Sequence, residues 1–488
     1  MTASRTSPSL FLSVIPLLVL FALLGYNVAV YGDDSLSGAN QSALIIAAAL
    51  AAALGLYRGE SWQFIQDKII DNIKAATPAI LILLMVGALT GSWLISGIVP
   101  AMIYYGLQIF SPTFFIVSAC LITAIAAVVI GSSWSTSATL GVALMSIGYA
   151  MGLNPGLVAG AIVSGAYFGD KMSPLSDTTN LASGVSGVDL FTHIRYLSFT
   201  ALPSIIITLS IYFILGLFMG GEAASTNNTD QYRVLIADKF WVSPLLLLVP
   251  FGVIFLIIKK VAALPALFMG ALAGVICAVL FQQPVLAELS ESTGSLYQSV
   301  MQAIYGSTAI LAGDPVLDEL LSTGGMAGML NTIWLILSAM VFGGAMEAGG
   351  FLARITRALI SRVHSDAGLV TATGATCLVT NVSASDQYLA IVVPGRMFTE
   401  AYRKRGLAPQ NLSRTLEDTG TVTSVLVPWN TCGAYHASVL GVATLAYAPW
   451  AFFCLLSPAM TLFFAWARIR IARVDDDSVS DAVIKTSS

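Results

Sequence analysis

Residues 169–180 have the sequence GDKMSPLSDTTN, and they lie in the middle of an apolar stretch at 155–190. The segment contains three charged residues, Asp170, Lys171 and Asp177, together with one proline. An ionised side chain at the centre of a bilayer costs about 2.5–3.5 kcal/mol even on insertion scales. A proline removes a backbone donor and clashes with the preceding helical turn. The segment therefore predicts a membrane-spanning helix that is broken near mid-depth.

The composition of the 488-residue chain is that of a membrane protein. Hydrophobic residues make up 57% and charged residues 10% of the chain, whereas soluble domains carry about 25% charged residues. Many apolar runs are long enough to cross a bilayer as helices. Runs such as 43–57 and 201–220 lack the alternation that is typical of transmembrane β-strands. We therefore predict an all-α membrane protein.

The apolar runs predict ten transmembrane helices and two re-entrant hairpins. Each hairpin has two short apolar arms around a polar tip, at 112–152 in the first half and at 367–398 in the second. Arms of this length suit a hairpin better than two full spans. The predicted spans are 9–31, 39–57, 76–96, 155–190, 196–220, 240–258, 261–282, 331–350, 408–447 and 449–471.

The distribution of Lys and Arg predicts the orientation of these spans. With the N-terminus in the cytoplasm, only Arg233 and Lys239 of the 22 basic residues fall outside, and Lys171 falls within the membrane. The outside loop 283–330 has five acids and no base. This is the positive-inside pattern, so we expect a multi-pass protein of the cell inner membrane with both termini cytoplasmic. The first apolar run is expected to be a retained span.

The order of spans and hairpins is the same in both halves, and each half has five spans. Pro174 and Pro428 occupy equivalent places, as do Gly187 and Gly441, all at a separation of 254 residues. An odd number of spans inverts the second half, so the pattern predicts two inverted repeats; the alternative is an accidental periodicity of an apolar chain. The predicted units are a first repeat at 1–220, an external linker at 221–239, a second repeat at 240–471 and a cytoplasmic tail at 472–488.

The broken span supplies the chemistry that a small hard cation needs. Unwinding frees backbone carbonyls, and neighbouring hydroxyls and carboxylates add oxygen ligands. The alternative is a kinked helix whose polar groups satisfy one another. The candidate ion- or substrate-binding residues here are Asp170, Lys171, Ser173, Ser176, Asp177, Thr178, Thr179 and Asn180.

The two hairpin tips and a second break at 427–433 offer further polar groups between apolar arms. The alternative for each tip is a polar cap at the membrane surface. Asp418 and Glu417 precede the second break, and the alternative for one of them is a solvated residue at the entry. The candidates in these regions are Ser133, Ser135, Thr136, Ser137, Asn381, Ser383, Ser385, Asp386, Asp418, Asn430 and Thr431.

Lys171 is the only basic residue predicted within the membrane, so a nearby carboxylate is expected to neutralise it. Asp170 is its neighbour in sequence, and Asp386 or Asp418 could be its neighbour in space. Alternatively, Lys171 itself could release a proton, because buried lysines lose much of their basicity. The sequence leaves these alternatives open.

Motifs for other chemistry are absent from the sequence. There is no GxxxxGK[ST] phosphate loop, strand-linked GxGxxG, HExxH or GxSxG, so neither ATP-driven pumping nor a hydrolase is indicated. The five cysteines lie singly in apolar stretches without CxxC spacing. We expect a secondary transporter that is not an enzyme, that needs no cofactor and that does not bind nucleic acid.

At these same segments the sequence resembles the NhaC family of sodium/proton antiporters, within the larger ion-transporter superfamily. The resemblance rests on GSSWSTSATLG at 131–141, on GDKMSPLSDTTN at 169–180 and on VPWN at 427–430. It implies two inverted repeats with hairpins, a homodimer and sodium coupling. The matching residues Asp170, Ser176, Asp177, Thr178, Thr179 and Asn180 take on the family's ion-binding role, with Na⁺ expected at Asp177, Ser176, Thr178 and Asn180.

The predicted function is exchange of Na⁺ for H⁺ across the cytoplasmic membrane by alternating access. A carboxylate in the 170–177 segment, helped by Asp386 or Asp418, would bind either sodium or protons. Some relatives in the resembled family couple sodium to carboxylates, of the malate/lactate type, or to amino acids. A coupled transporter of such a substrate is therefore the alternative, and a channel or membrane scaffold is a third class.

Overall fold

The computed structural model describes residues 8–31, 35, 37–223, 227–361 and 363–474. Within these ranges the chain is almost entirely helical. Arg5, Arg362, Lys485 and the predicted tail from residue 475 onward lie outside the described residues. The helices of the first half are α1 (Leu10–Tyr31), α2 (Ala39–Tyr57), α3 (Trp62–Ile95), α4 (Ile98–Ile109), α5 (Pro112–Ile130), α6 (Ser133–Thr136), α7 (Val142–Ala150), α8 (Pro155–Met172), α9 (Asp177–Ser186), α10 (Leu190–Ala223) and α11 (Asn227–Lys239).

The second half contains fifteen further helices within the described residues. They are α12 (Leu248–Ile258), α13 (Ala263–Phe281), α14 (Gln283–Thr293), α15 (Leu296–Tyr305), α16 (Pro315–Leu320), α17 (Gly325–Gly328), α18 (Leu330–Ala348), α19 (Phe351–Ile360), α20 (Asp366–Ser383), α21 (Gln387–Lys404), α22 (Pro409–Leu416), α23 (Val422–Ser424), α24 (Thr431–Leu440), α25 (Thr444–Tyr447) and α26 (Phe452–Trp466).

Four short helical turns and one small sheet complete the described architecture. Ser137–Gly141 and Glu417–Thr421 are π-helical, and Pro244–Leu247 and Ala448–Trp450 are 3₁₀-helical. The antiparallel strands β1 (Thr308–Ala309) and β2 (Ser322–Thr323) pair Thr308 with Thr323 in the loop that was predicted to be external.

Seven described helices are long and apolar enough to cross a membrane. The number of candidate spans rises to nine if each of two bent helix pairs is counted as one further span. The chain is therefore a multi-pass helical membrane protein, as the composition predicts. The predicted spans 155–190 and 408–447 are both interrupted, by a break after α8 and by a break after α23. Helix α5, predicted as a hairpin arm, is itself 19 residues long and meets the criteria for a span.

The described helix boundaries recur at a spacing of 254 residues. Pro112 and Asp366 begin α5 and α20, and Pro155 and Pro409 begin α8 and α22. After the two breaks, α9 and α24 are each ten residues long. Each ends at a glycine with a left-handed backbone, Gly187 with φ +73° and Gly441 with φ +67°, as helix C-caps commonly do. The two halves thus share these local features at equivalent positions.

Helices α5 and α8 pack closely because two glycines face the neighbouring backbone. A Cβ at Gly165 would lie 2.1 Å from the carbonyl oxygen of Cys120, and one at Gly169 would lie 2.2 Å from that of Ala124. Small residues four apart allow such an approach between membrane helices. This packing positions the C-terminal end of α8, where the broken segment begins, against the end of α5.

Gly165→Ala is expected to lower the free energy of unfolding by about 1–3 kcal/mol, because the added methyl group overpacks this contact. The measurement is the thermal unfolding temperature of the purified protein in detergent. Gly184→Ala is the matched control, since Gly184 is also helical and has nothing within 4 Å of the Cβ position. Equal unfolding temperatures for the two variants would contradict the prediction.

Candidate ion-binding site

The break between α8 and α9 is held open by its own side chains. Pro174 lies in the four-residue gap, and Ser176 caps α9 by accepting a hydrogen bond from the backbone N–H of Thr179 at 3.4 Å. The amide of Asn180 donates to the carbonyl oxygens of Pro174 at 3.0 Å and of Ser176 at 2.7 Å. The Asn180 side chain thus binds two backbone carbonyls of the gap between α8 and α9.

The first hairpin tip meets the broken helix at Asp170. The chain turns at Gly131, which has φ +75°. The backbone N–H and the hydroxyl of Ser133 then donate to Oδ2 of Asp170 at 3.0 and 2.7 Å. Only 6% of Asp170 is exposed. The polar tip therefore fixes one carboxylate oxygen of Asp170 in place.

The second hairpin tip meets the second break in the same way. Asp386 caps α21 by accepting from the backbone N–H of Leu389 at 2.9 Å. The amide of Asn430 donates to the backbone oxygen of Asn381 at 3.0 Å and to its Oδ1 at 3.1 Å. The backbone N–H of Thr431 donates to the carbonyl of Ser385 at 2.9 Å, so hairpin and break form one unit.

These two units and α3 line a cavity of about 530 Å³. Three acids line it, Asp170, Asp177 and Asp386, and Asp177 has an exposed side chain. No Lys or Arg lies within salt-bridge distance of any of the three among the described residues. The cavity extends to the loop between α12 and α13, where exposed Lys260 lines it. The cavity is therefore accessible, is lined by three carboxylates and lies beside the gap between α8 and α9.

Lys171 forms an ion pair with Asp418 in the interior of the protein. Neither side chain is exposed. Ser457 is within 2.8 Å of the lysine Nζ and donates to Asp418 Oδ1 at 3.0 Å. Asp418 Oδ2 accepts from Thr200 at 2.8 Å and from Thr461. Of the partners that the sequence left open for Lys171, the fold selects Asp418, and it satisfies both carboxylate oxygens of that residue.

Comparison with known proteins identifies the family of this chain. Residues 165–469 match the model of the Na⁺/H⁺ antiporter family. The Na(+)/H(+) antiporter NhaC of Alkalihalophilus pseudofirmus is 38% identical over 88% of this chain and 90% of its own length. This chain belongs to the Na⁺/H⁺ antiporter family. The resemblance to the NhaC family that the motifs suggest is thereby confirmed.

Other relatives in this antiporter family are named for organic substrates. The arginine/ornithine antiporter ArcD of Halobacterium salinarum is 34% identical over 99% of this chain and 96% of its own length. The malate-2H(+)/Na(+)-lactate antiporter of Bacillus subtilis is 32% identical over 94% of this chain and 95% of its own length. Relatives that are similar to this chain over nearly its whole length are therefore named for different substrates.

The structure brings only part of the predicted binding set to the cavity of this antiporter-family chain. The predicted residues that line the cavity are Ser135, Asp170, Ser176, Asp177, Thr178, Asp386 and Thr431. Lys171 and Asp418 are paired elsewhere. The remaining predicted residues do not line the cavity, namely Ser133, Thr136, Ser137, Ser173, Thr179, Asn180, Asn381, Ser383, Ser385 and Asn430.

Of the four predicted sodium ligands, three line the cavity and one does not. Ser176, Asp177 and Thr178 line the cavity, whereas Asn180 is turned toward the broken backbone. No group of three or more His, Cys, Asp or Glu side chains that could hold a metal ion occurs in the part of the chain that the structure describes. A sodium ion as cargo would instead draw on hydroxyl and carbonyl oxygens beside a carboxylate.

Sequence reasoning missed two aromatic residues that line the cavity, Trp134 and Tyr388. The Trp134 ring stacks on Tyr435 with centroids 4.1 Å apart, and the Tyr435 hydroxyl donates to the Trp134 carbonyl at 3.1 Å. A tryptophan inside a run of serines was the available signal. Tyr388 follows the predicted tip directly and carried no comparable signal.

Proposed function

We propose that this chain exchanges Na⁺ for H⁺ across the cytoplasmic membrane. The observation that carries the proposal is the cavity in which Asp170, Asp177 and Asp386 meet without a basic partner at the break between α8 and α9. A carboxylate removed from water favours its neutral form unless a cation compensates it. Na⁺ and H⁺ can therefore replace one another as the cation that compensates this group of acids, and alternating access would convert that competition into exchange.

The proposal includes ten spans and two re-entrant hairpins in two inverted repeats. The recurrence of helix starts at a spacing of 254 residues supports it, and so do the paired helix caps, Ser132 with Asp386 and Ser176 with Asn430. In this arrangement the two hairpin–break units move together past a scaffold that includes α2, α3, α13 and α18. A homodimer is part of the same proposal, because the family resemblance implies one.

The proposed orientation places both termini in the cytoplasm of the cell and the protein in the inner membrane. The cavity extends to the α12–α13 loop, which carries Lys259 and Lys260. Basic loops are retained on the cytoplasmic side. The described conformation is then one in which Asp177 is accessible from the cytoplasm.

A second candidate function is coupled transport of a small carboxylate or an amino acid. Two observations favour it: the volume of about 530 Å³ exceeds the need of one ion, and α9, α21 and α24 begin at the cavity. Helix N-termini carry partial positive charge and attract carboxylates. The names of the malate/lactate and arginine/ornithine relatives are compatible with this candidate.

The test uses purified protein in liposomes with an imposed pH gradient and a pH-sensitive dye. We expect Na⁺ alone to collapse the gradient, with no acceleration by malate, lactate or arginine. Protein-free liposomes provide the background. A gradient that Na⁺ leaves intact would contradict Na⁺/H⁺ exchange, and collapse that requires one organic compound would favour the second candidate.

A further inference from the structure

Glu417 is a buried acid that lies outside the cavity. It begins the π-helical turn Glu417–Thr421 between α22 and α23, and its side chain is 0% exposed. Oε1 accepts a hydrogen bond from the Thr178 hydroxyl at 2.9 Å. Oε2 is buried without a hydrogen-bond partner among the described residues. Single π-helical turns inside α-helices occur frequently at functional sites.

The charged groups around Glu417 do not provide it with a cation of its own. Lys171 on α8 is close enough to interact with it, but the lysine charge is already paired with Asp418. Asp170, also on α8, adds negative charge. Arg414, one turn earlier, lies over the Tyr196 ring at 4.5 Å and donates to the carbonyl of Arg470 at 3.3 Å. His193 on α10 faces the Lys171–Asp418 pair.

An ionised Glu417 would therefore be an unmatched charge in the interior of a membrane protein. A buried charge that lacks a partner is strongly unfavourable, and such a group becomes neutral instead. A proton is the smallest cation that can neutralise it. Because the Glu417 side chain is fully buried and absent from the cavity wall, a hydrated Na⁺ has no direct access to it.

Hydroxyl groups connect Glu417 to the cavity. The Thr178 hydroxyl lies 2.9 Å from Glu417 Oε1 and 3.1 Å from the Ser176 hydroxyl. Ser176 and Asp170 both line the cavity. Each hydroxyl can donate one hydrogen bond and accept others, so a proton can pass from Glu417 through Thr178 and Ser176 to the cavity.

We propose that Glu417 carries the proton of the exchange cycle, while the cavity acids bind the cation. The inference rests on the proposed Na⁺/H⁺ exchange and assigns its two ions to different carboxylates. In the step, the O–H bond of Glu417 breaks and its proton moves to Thr178. Thr178 passes its own proton to Ser176, and Ser176 passes one to water in the cavity. One proton leaves Glu417, one arrives in the cavity, and both hydroxyls are restored.

The assignment explains how the two ions exclude one another. With Glu417 neutral, the cavity acids are the main negative charges near the break. Once Glu417 has released its proton, its charge lies behind Ser176 and Thr178 and strengthens the attraction for a cation in the cavity. Cation release then favours return of the proton to Glu417. Electrostatic attraction thus couples cation binding in the cavity to proton release from Glu417. The proton leaves and returns along the same hydroxyl path.

The test compares two reactions of the Glu417→Gln variant in liposomes. Uptake of ²²Na⁺ driven by a pH gradient needs the proton carrier, whereas exchange of ²²Na⁺ for unlabelled Na⁺ at equal pH needs only the cavity. We expect the variant to lose pH-driven uptake to the level of protein-free liposomes and to retain Na⁺/Na⁺ exchange. Retained exchange also demonstrates that the variant is folded.

Thr178→Val provides the second variant, because it keeps Glu417 and removes one hydroxyl of the path. We expect it to slow pH-driven uptake more than Na⁺/Na⁺ exchange. Glu291→Gln, an exposed acid on α14, is the matched control and should leave both reactions unchanged. If Glu417→Gln keeps wild-type pH-driven uptake, or a folded Glu417→Gln protein loses both reactions alike, the assignment is wrong. Wild-type protein that performs neither reaction would instead contradict the proposed function.

Discussion

Asp177→Asn is expected to abolish Na⁺-driven proton movement and Na⁺/Na⁺ exchange together. Asp177 is the exposed acid of the cavity, at the first position of α9 next to Ser176 and Thr178. Asparagine has nearly the same size, but it can neither balance a cation nor exchange a proton. The change therefore removes charge at the proposed cation site and leaves the broken helix intact. The measurement is dye-reported collapse of a pH gradient in vesicles on addition of Na⁺.

The control for this variant is Asp189→Asn. Asp189 is an exposed acid twelve positions later, and it accepts a hydrogen bond from the backbone N–H of Thr192 at 3.0 Å. Asparagine caps a helix about as well as aspartate, so this control should transport at the wild-type rate. Wild-type transport by Asp177→Asn would refute the assignment of the cavity. Asp177→Asn also differs from Glu417→Gln, which we expect to retain Na⁺/Na⁺ exchange.

The second large effect is expected at the Lys171–Asp418 pair. Replacing Lys171 with Met, or Asp418 with Asn, leaves one buried group without its partner. Breaking a buried ion pair from one side destabilises a protein by about 3–5 kcal/mol. Both variants should therefore unfold at markedly lower temperature in detergent, as measured by the loss of the monodisperse peak in size-exclusion chromatography after heating.

The double variant Lys171→Met with Asp418→Leu separates the structural role from a transport role. It removes both charges, so its stability should exceed that of either single variant, since apolar replacement of a buried pair is often nearly neutral. If Asp418 were mainly an ion ligand, Asp418→Asn would lose transport at an unchanged unfolding temperature. That outcome would contradict the interpretation of Asp418 as the counter-charge of Lys171.

Local sequence was sufficient to locate the polar interruptions of the fold. Charges and prolines inside apolar runs cannot continue as lipid-facing helix, and the described helices break between Met172 and Asp177 and again between Ser424 and Thr431. The serine-rich run after Gly131 likewise predicted a turn, and Ser133 reaches Asp170 from there. These features depend on the cost of burying polar groups in a bilayer, which is a property of each segment alone.

The sequence alone could not assign roles to the individual acids. Asp170 and Lys171 are adjacent in the chain, yet one lines the cavity and the other is paired with a residue 247 positions away. Glu417 and Asp418 are also adjacent, and of the two only Asp418 forms a salt bridge among the described residues. Consecutive side chains on a helix point about 100° apart, so neighbours in sequence face different surroundings.

The sequence by itself thus determined that this is a helical membrane protein of the Na⁺/H⁺ antiporter type and where its polar segments lie. The membrane class and the polar segments follow from composition and from the length of apolar runs, and the antiporter type follows from the resemblance of three motifs to the NhaC family. Only the tertiary structure decided that Asp418 neutralises Lys171, that Asp177 faces an accessible cavity and that Glu417 is buried without a cation. Whether two charged side chains pair depends on distances of a few ångströms between helices that are far apart in the chain. Only the packing of the helices sets those distances.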